Sequence, residues 1–251
     1  MLTKDLAICI RAVDYSETSQ IVTFFTRDTG KISAIAKGSK RLKSTFDGPI
    51  EILSHGRIVF ADSNKENLAT LTEFQQQPTL LKLRHNLFAF YCCLFAAELL
   101  NGLTHDYDPH PELFEGFLQF LQNVNEQQEA RDERRGILAL LILFQLTLLK
   151  EIGLQPILSQ CVNCKTKYKM RDTRYEAYFS SSANGLICRD CEASFPDKIR
   201  LGGSAAACLV NLKQIAQSPE KTLDEIENIL IHHFTELLHH QPKMAKHIMK
   251  S

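Results

Sequence analysis

Four cysteines stand in two pairs, Cys161-Val162-Asn163-Cys164 and Cys188-Arg189-Asp190-Cys191, separated by 23 residues, with Gly185 three residues before the second pair. Two residues between thiols let one tight turn aim both sulfurs at a single ion, while the turn's free amides hydrogen-bond to the thiolates. Two such knuckles complete a tetrahedral site of four sulfurs closed to water, so structural Zn2+ is the first expectation. Metal binding there contributes folding energy, because the intervening loop has too little apolar content to fold alone. Iron–sulfur clusters use the same ligands. A disulfide or redox pair is the other alternative, and a structural disulfide needs an oxidising compartment. Cys9, Cys92, Cys93 and Cys208 fall in strand or helix patterns and read as inert core residues.

The second chemically suggestive stretch is basic. Between positions 31 and 43 lie Lys31, Lys37, Lys40, Arg41 and Lys43, with no acidic residue among them. Gly38 and Ser39 make this a loop in which long cationic side chains can wrap a phosphate backbone. A solvated turn is the bland alternative. Phe24, Phe25 and Phe46 are candidate base-stacking partners, although adjacent strand residues such as Phe24 and Phe25 face opposite ways. The chain as a whole is neutral, with 29 basic and 29 acidic residues, so any nucleic-acid contact must come from a local patch rather than bulk charge.

Other constellations are weaker. His232, His233, His239 and His240 recur seven apart, so two could share a helix face and hold a second metal, but an exposed helix with histidines is the commoner case. Asp106 and Asp108 lie beside Pro109 and Pro111, which mark a loop, with no evident partner base. No GxxxxGK[ST], HExxH or GxSxG occurs, so the expectation is a binding protein without enzymatic activity.

The elements that must position these residues follow from periodicity. The first 75 or so residues alternate like half-buried strands. Leu6, Ile8 and Ile10 form one face; Gln20 to Thr26 is β-branched and aromatic; a turn over 27–30 leads to Lys31 to Lys37. Further runs cover Ile50 to Phe60 and Leu68 to Phe74. Five strands with closely spaced turns predict a small OB-type barrel, with an SH3-like barrel as the alternative.

From Pro78 onward the period is helical. Predicted helices cover Leu80 to Leu100, Glu112 to Asn123, the nearly all-apolar Gly136 to Ile152, Ser204 to Gln217 and Thr222 to His240. Thr222 and Glu225 have capping-box spacing. The fold class is therefore α+β: an N-terminal OB-type β-barrel over 1–77, then an α-helical domain over 78–251 with a four-cysteine zinc module inserted over 157–197. The apolar run Ile137 to Leu149 is 13 residues, too short for a span of about 20. The N-terminus carries Lys4 and Asp5 inside an alternating pattern rather than a signal-like apolar run. The expected setting is cytoplasmic, with no membrane.

Together these features resemble the bacterial DNA repair protein RecO family over essentially the whole chain. The resemblance runs from Asp14-Tyr15-Ser16-Glu17-Thr18-Ser19 through Phe25-Thr26, Gly30-Lys31 and Ala36-Lys37-Gly38 with its basic continuation. The CxxC…GxxCxxC module follows in order. The resemblance implies binding of single- and double-stranded DNA, annealing of complementary strands, and help in loading recombinase onto DNA coated by single-strand DNA-binding protein, in the nucleoid. It implies RecR and the C-terminal tail of single-strand DNA-binding protein as partners. It matches the DNA-contact positions at Lys37, Lys40, Arg41 and Lys43 and the zinc ligands at Cys161, Cys164, Cys188 and Cys191. A zinc-containing protein–protein adaptor and an unrecognised nuclease or transferase are the rival readings. The basic tail, with Lys243, Lys246 and Lys250, matches the family's basic end only loosely.

Overall fold

The N-terminal strand serves two neighbours at once. In the computed structural model, which describes residues 2–41, 44, 46, 48–61, 68–77, 80–127, 132–168 and 176–249, β1 (Leu2–Asp14) pairs through its first half with β4 (His55–Ala61) and through its second half with β2 (Gln20–Thr26). Its register with β2 shifts between Cys9 and Arg11, a bulge of the kind that bends a strand around a barrel. β3 (Gly30–Ala36) and β5 (Ala69–Gln77) complete the closed order β1-β2-β3-β5-β4, with β3 and β5 parallel and all other pairs antiparallel. This is the OB arrangement and not the SH3-like one.

The strands are buried more fully than simple alternation predicts. Ala7 and Cys9 point into the barrel, and Ile8 and Ile10 point outward into the helical core. β2 repeats this: Phe24 packs edge-on against Phe74 inside the barrel, while Phe25 meets Phe114 of the helical region, ring centroids 6.3 Å apart. One outer flank of the barrel is thus a packing surface, so both strand faces are covered.

Two turns differ from the sequence expectation. The β2–β3 connection has three residues, because Gly30 already pairs with Thr26. Gly30 has φ +85°, and a Cβ there would lie 2.4 Å from the Asp108 carbonyl oxygen, so conformation and close approach both require glycine. The run from Ile50 to Phe60 becomes a strand only at His55. Leu53 adopts φ 69°, and this stretch meets β1 at its bulge through Leu53 N–H to Cys9 O (2.7 Å) and Cys9 N–H to Ser54 O (2.8 Å).

The predicted helix from Leu80 is broken at Asn86. Its side chain accepts from Ala89 N–H and caps α1 (Leu87–Leu103). Asn101 and Gly102 remain helical because Gly102 admits Leu238, whose Cδ2 would lie 2.7 Å from a Cβ there. α1 ends at Thr104, whose hydroxyl donates to Leu100 O. α2 (Pro111–Glu126) starts on a proline, which costs no helical hydrogen bond at that position. α3 (Glu133–Glu151) packs against α1, α2 and α5, which explains its all-round apolar sequence.

After the cysteine module come α4 (Gly203–Val210), a 3-10 segment over Leu212–Gln217, α5 (Glu220–Leu238) and α6 (Ala245–Ile248). The Thr222–Glu225 capping box does not form. α5 begins one turn earlier, after Pro219 with no side-chain cap, and Glu225 instead accepts from Gly202 N–H. Among the described residues, no helix is long and apolar enough to cross a membrane.

Candidate metal centre and basic loop

The cysteine module is a small sheet, β6 (Ala177–Ser180), β7 (Gly185–Cys188) and β8 (Ile199–Leu201), in the order β7-β6-β8. Gly185 brings the two knuckles together. Ile157 N–H donates to Asn184 O, Leu186 N–H donates to Ile157 O, and a Cβ on Gly185 would lie 2.4 Å from that same Ile157 oxygen. The first knuckle closes through Cys161 N–H to Thr166 O (2.9 Å) and Lys165 N–H to Cys161 O (3.0 Å). Lys165 takes the left-handed φ of 62° that the turn demands.

All four sulfurs, of Cys161, Cys164, Cys188 and Cys191, lie within 4.8 Å of one another. Cys164 and Cys188 are 3.6 Å apart, close to the roughly 3.8 Å edge of a tetrahedron built on Zn–S bonds of about 2.3 Å. Asn163 Nδ2 donates to Cys191 Sγ (3.3 Å), and Cys188 N–H points at Cys161 Sγ (3.4 Å). Cys161 and Cys191 are buried and Cys164 is exposed. The Thr166 hydroxyl and amide hold the Cys164 thiol below its ordinary range, whereas burial and the neighbouring thiols push Cys188 up. Four thiolates cannot share this volume without a cation, so the donor set fits a soft dication.

The module is docked onto the helical core. Phe179 and Leu186 belong to the main core, while Tyr178 and Ile187 form a separate small cluster with Cys161 and Cys191. Phe179 packs edge-on against His233, centroids 5.2 Å apart. This accounts for part of the histidine pattern. His233 is a core residue whose imidazole is held neutral by burial, down to about 4. α5 ends at Leu238, and His239 occupies its left-handed cap, so the seven-residue spacing does not continue on one helix. Among the described residues the histidines form no metal-binding group.

The basic residues divide. Lys31 is not free for phosphate. Its side chain is only 12% exposed, and its ammonium donates to Asn101 O (2.9 Å) and Thr104 O (2.7 Å) beside Asp106 (3.4 Å). It binds the carbonyl end of α1, where a cation is favoured by the helix dipole, and so ties barrel to helices. Lys31→Met is expected to lower stability by about 2 kcal/mol through two orphaned carbonyls, read as a fall in Tm, while leaving the salt dependence of oligonucleotide binding unchanged.

Lys37 and Arg41 are exposed, and Lys40 lies beside them, paired with Asp14 at 2.6 Å. Lys43 lies outside the described residues. The stacking candidates do not serve: Phe24 and Phe46 fill the barrel interior and Phe25 the helical interface. A closed barrel packed on one flank uses its aromatics as core.

Sequence reasoning missed Gln20. It opens β2 and is buried, and its carboxamide bonds Ser39 within the basic run and Ile50 beyond it. The one signal for it was a carboxamide at the head of an otherwise β-branched and aromatic strand.

Comparison with known proteins agrees with this layout. The family model described as Recombination protein O N terminal matches residues 1–77, and that described as Recombination protein O C terminal matches residues 84–246. A DNA repair protein RecO from Bacillus pumilus is 31% identical over 243 residues, 94% of this chain and 89% of the relative. Those from Rhodopirellula baltica (32% over 215 residues; 86% and 75%) and Bacillus subtilis (31% over 209 residues; 83% and 76%) are similar. With its barrel and its helical region each matching the corresponding part of recombination protein O, in order and over most of its length, the chain belongs to the RecO family.

Proposed function

We propose that this chain is a non-enzymatic mediator of recombinational DNA repair, which anneals complementary single strands and helps load recombinase onto DNA coated by single-strand DNA-binding protein. The observation that carries the reading is the cluster of Lys37, Lys40 and Arg41 at the surface of an OB barrel in a member of the RecO family. Cations there neutralise phosphates on two strands and release counterions, so strand repulsion falls and pairing nucleates. Sequence specificity comes from base pairing itself.

In this reading residues 1–77 form the DNA-binding domain, which takes single- and double-stranded DNA. Residues 78–251 form the helical domain, carrying the module over 157–197. The helical domain recruits RecR and the acidic, apolar-ended tail of single-strand DNA-binding protein, in the cytoplasm at the nucleoid. Cys161, Cys164, Cys188 and Cys191 hold a structural Zn2+, which stiffens the module and takes no part in annealing.

The test is oligonucleotide binding by the full chain across a salt series, comparing wild type with the triple variant Lys37→Glu, Lys40→Glu, Arg41→Glu. The variant is expected to bind single strands at least about 100-fold more weakly at low salt, with the log–log salt slope reduced by about 2, at roughly 0.7 per lost phosphate contact. Annealing of complementary oligonucleotides falls in step. Unchanged affinity and slope would remove the basic loop as the DNA site and favour the protein–protein adaptor.

A further inference from the structure

We propose that Gln20 is a positioning residue for the basic loop, a single buried carboxamide that holds both ends of the loop and so presents its cations pre-arranged for phosphate. The inference rests on the reading of that loop as the DNA contact.

Gln20 is 6% exposed at the head of β2. Its Oε1 accepts from the Ser39 hydroxyl (3.0 Å) and from Ile50 N–H (2.8 Å), and its Nε2 donates to Ile50 O (3.1 Å). Thus the chain that leaves β3 at Ala36 is caught at Ser39, and where it returns at Ile50 it is caught again by the same group. A carboxamide suits this task because it both donates and accepts; an apolar residue of the same size would leave Ile50 N–H and C=O unsatisfied in the core.

The surroundings point the same way. Ser39 is fully buried in the middle of a charged run, between exposed Lys37 and exposed Arg41. The peg turns inward and the cations turn outward. Gly38, at φ +74°, makes the bend, Arg41 N–H closes it onto Gly38 O (3.0 Å), Gly38 N–H donates to Ser19 Oγ, and Lys40 N–H donates to Thr18 O. Phe46 and Ile50 anchor the same stretch in the barrel interior.

Long cationic side chains on an unrestrained loop must be ordered when they bind, which weakens binding. A loop held at both ends has met most of that cost during folding. Gln20 touches no phosphate; it acts through Ser39 and Ile50 on Lys37, Lys40 and Arg41.

The experiment compares full-length wild type, Gln20→Leu, Gln20→Glu, Ser39→Ala and the triple loop variant by oligonucleotide affinity across a salt series, with Tm and amide hydrogen exchange at Ile50 measured alongside. Gln20→Leu is expected to bind about tenfold more weakly, with a reduced salt slope and faster exchange at Ile50. Gln20→Glu, which keeps both accepted hydrogen bonds but sets a carboxylate oxygen against Ile50 O, is expected to recover only part of the affinity. A merely structural role would lower Tm and leave the salt slope of the folded fraction unmoved. Wild-type affinity and slope in Gln20→Leu, with binding still lost in the triple variant, would overturn the clamp and leave the basic loop as the DNA site. Retained binding in the triple variant would overturn both. Should Gln20→Leu fail to fold, Ser39→Ala carries the test, with a smaller loss in the same direction expected and wild-type binding overturning the clamp.

Discussion

Cys161→Ala in the full chain is expected to release one metal ion per molecule and to lower Tm by roughly 10 °C or more. Cys161 is the buried cysteine of the first knuckle, and its sulfur also faces Cys188 N–H. Removing it leaves three thiols in a volume built for four, and three donors hold Zn2+ far more weakly than a closed set of four thiolates. Structural zinc contributes about 10–16 kcal/mol to the folding of isolated peptides. Only part of that is at stake here, because Phe179 and Leu186 keep the module attached to the main core. A loss of about 4 kcal/mol corresponds to roughly 8–16 °C in a chain of this size. A chelator added to wild type should reproduce the shift, and the released ion, assayed colorimetrically, should be zinc without the visible absorption of an iron–sulfur centre. Affinity for oligonucleotides at low temperature should survive, since the basic loop lies on the barrel. Purified wild-type protein that carries no metal and melts at the same temperature with or without chelator would show that the cysteines have another role.

Glu227→Gln is expected to stabilise the protein, and to do so more strongly as pH rises. Glu227 sits on α5 in the core, 2% exposed. One carboxyl oxygen accepts from Gln145 Nε2 on α3 (2.8 Å), and the other has no hydrogen-bond partner among the described residues. Burial pushes this carboxyl up to about 8; Gln145's hydrogen bond pulls it down and Asp224 pushes it further up. In the unfolded chain it titrates at the ordinary glutamate value near 4.5.

Between these two values the folded state holds a proton that the unfolded state has released. Stability is therefore fully present below about pH 4.5, declines as pH rises through the window, and is flat again above about pH 8. At 1.36 kcal/mol per pH unit, the loss has a ceiling of about 3 kcal/mol at pH 7. Glutamine removes this dependence and adds amide donors near Gln145 Oε1, which lacks a partner. Urea unfolding of both proteins between pH 5 and 9 should give curves that meet at the acid end and diverge toward pH 8. Parallel curves over that range would mean that Glu227 ionises in the native state at its ordinary pH.

Both effects involve groups whose type was plain in the chain and whose setting was not. CxxC pairs can be read directly because each is a single turn: two residues between thiols suffice to aim both sulfurs, whatever surrounds them. The convergence of the two pairs needed one long-range contact, Ile157 against Gly185, and the glycine stood in the sequence as its trace. The barrel was legible for a similar reason, since alternation with a period of two depends on each strand's own pleat. Its boundaries were less so: β4 starts at His55 and not Ile50 because the preceding residues are diverted to meet the β1 bulge.

What the order of residues determined alone was therefore local: strand and helix periods, the thiolate turns, the cationic stretch with its Gly-Ser bend, and through their sequence the RecO family. The tertiary structure decided the use of each side chain. It made Lys31 a tie to the end of α1, Phe24, Phe25 and Phe46 core residues, Gln20 a clamp and Glu227 a buried acid. The physical reason is that charge and aromaticity are properties of a residue, whereas solvent, partner and dielectric belong to the place where distant segments meet.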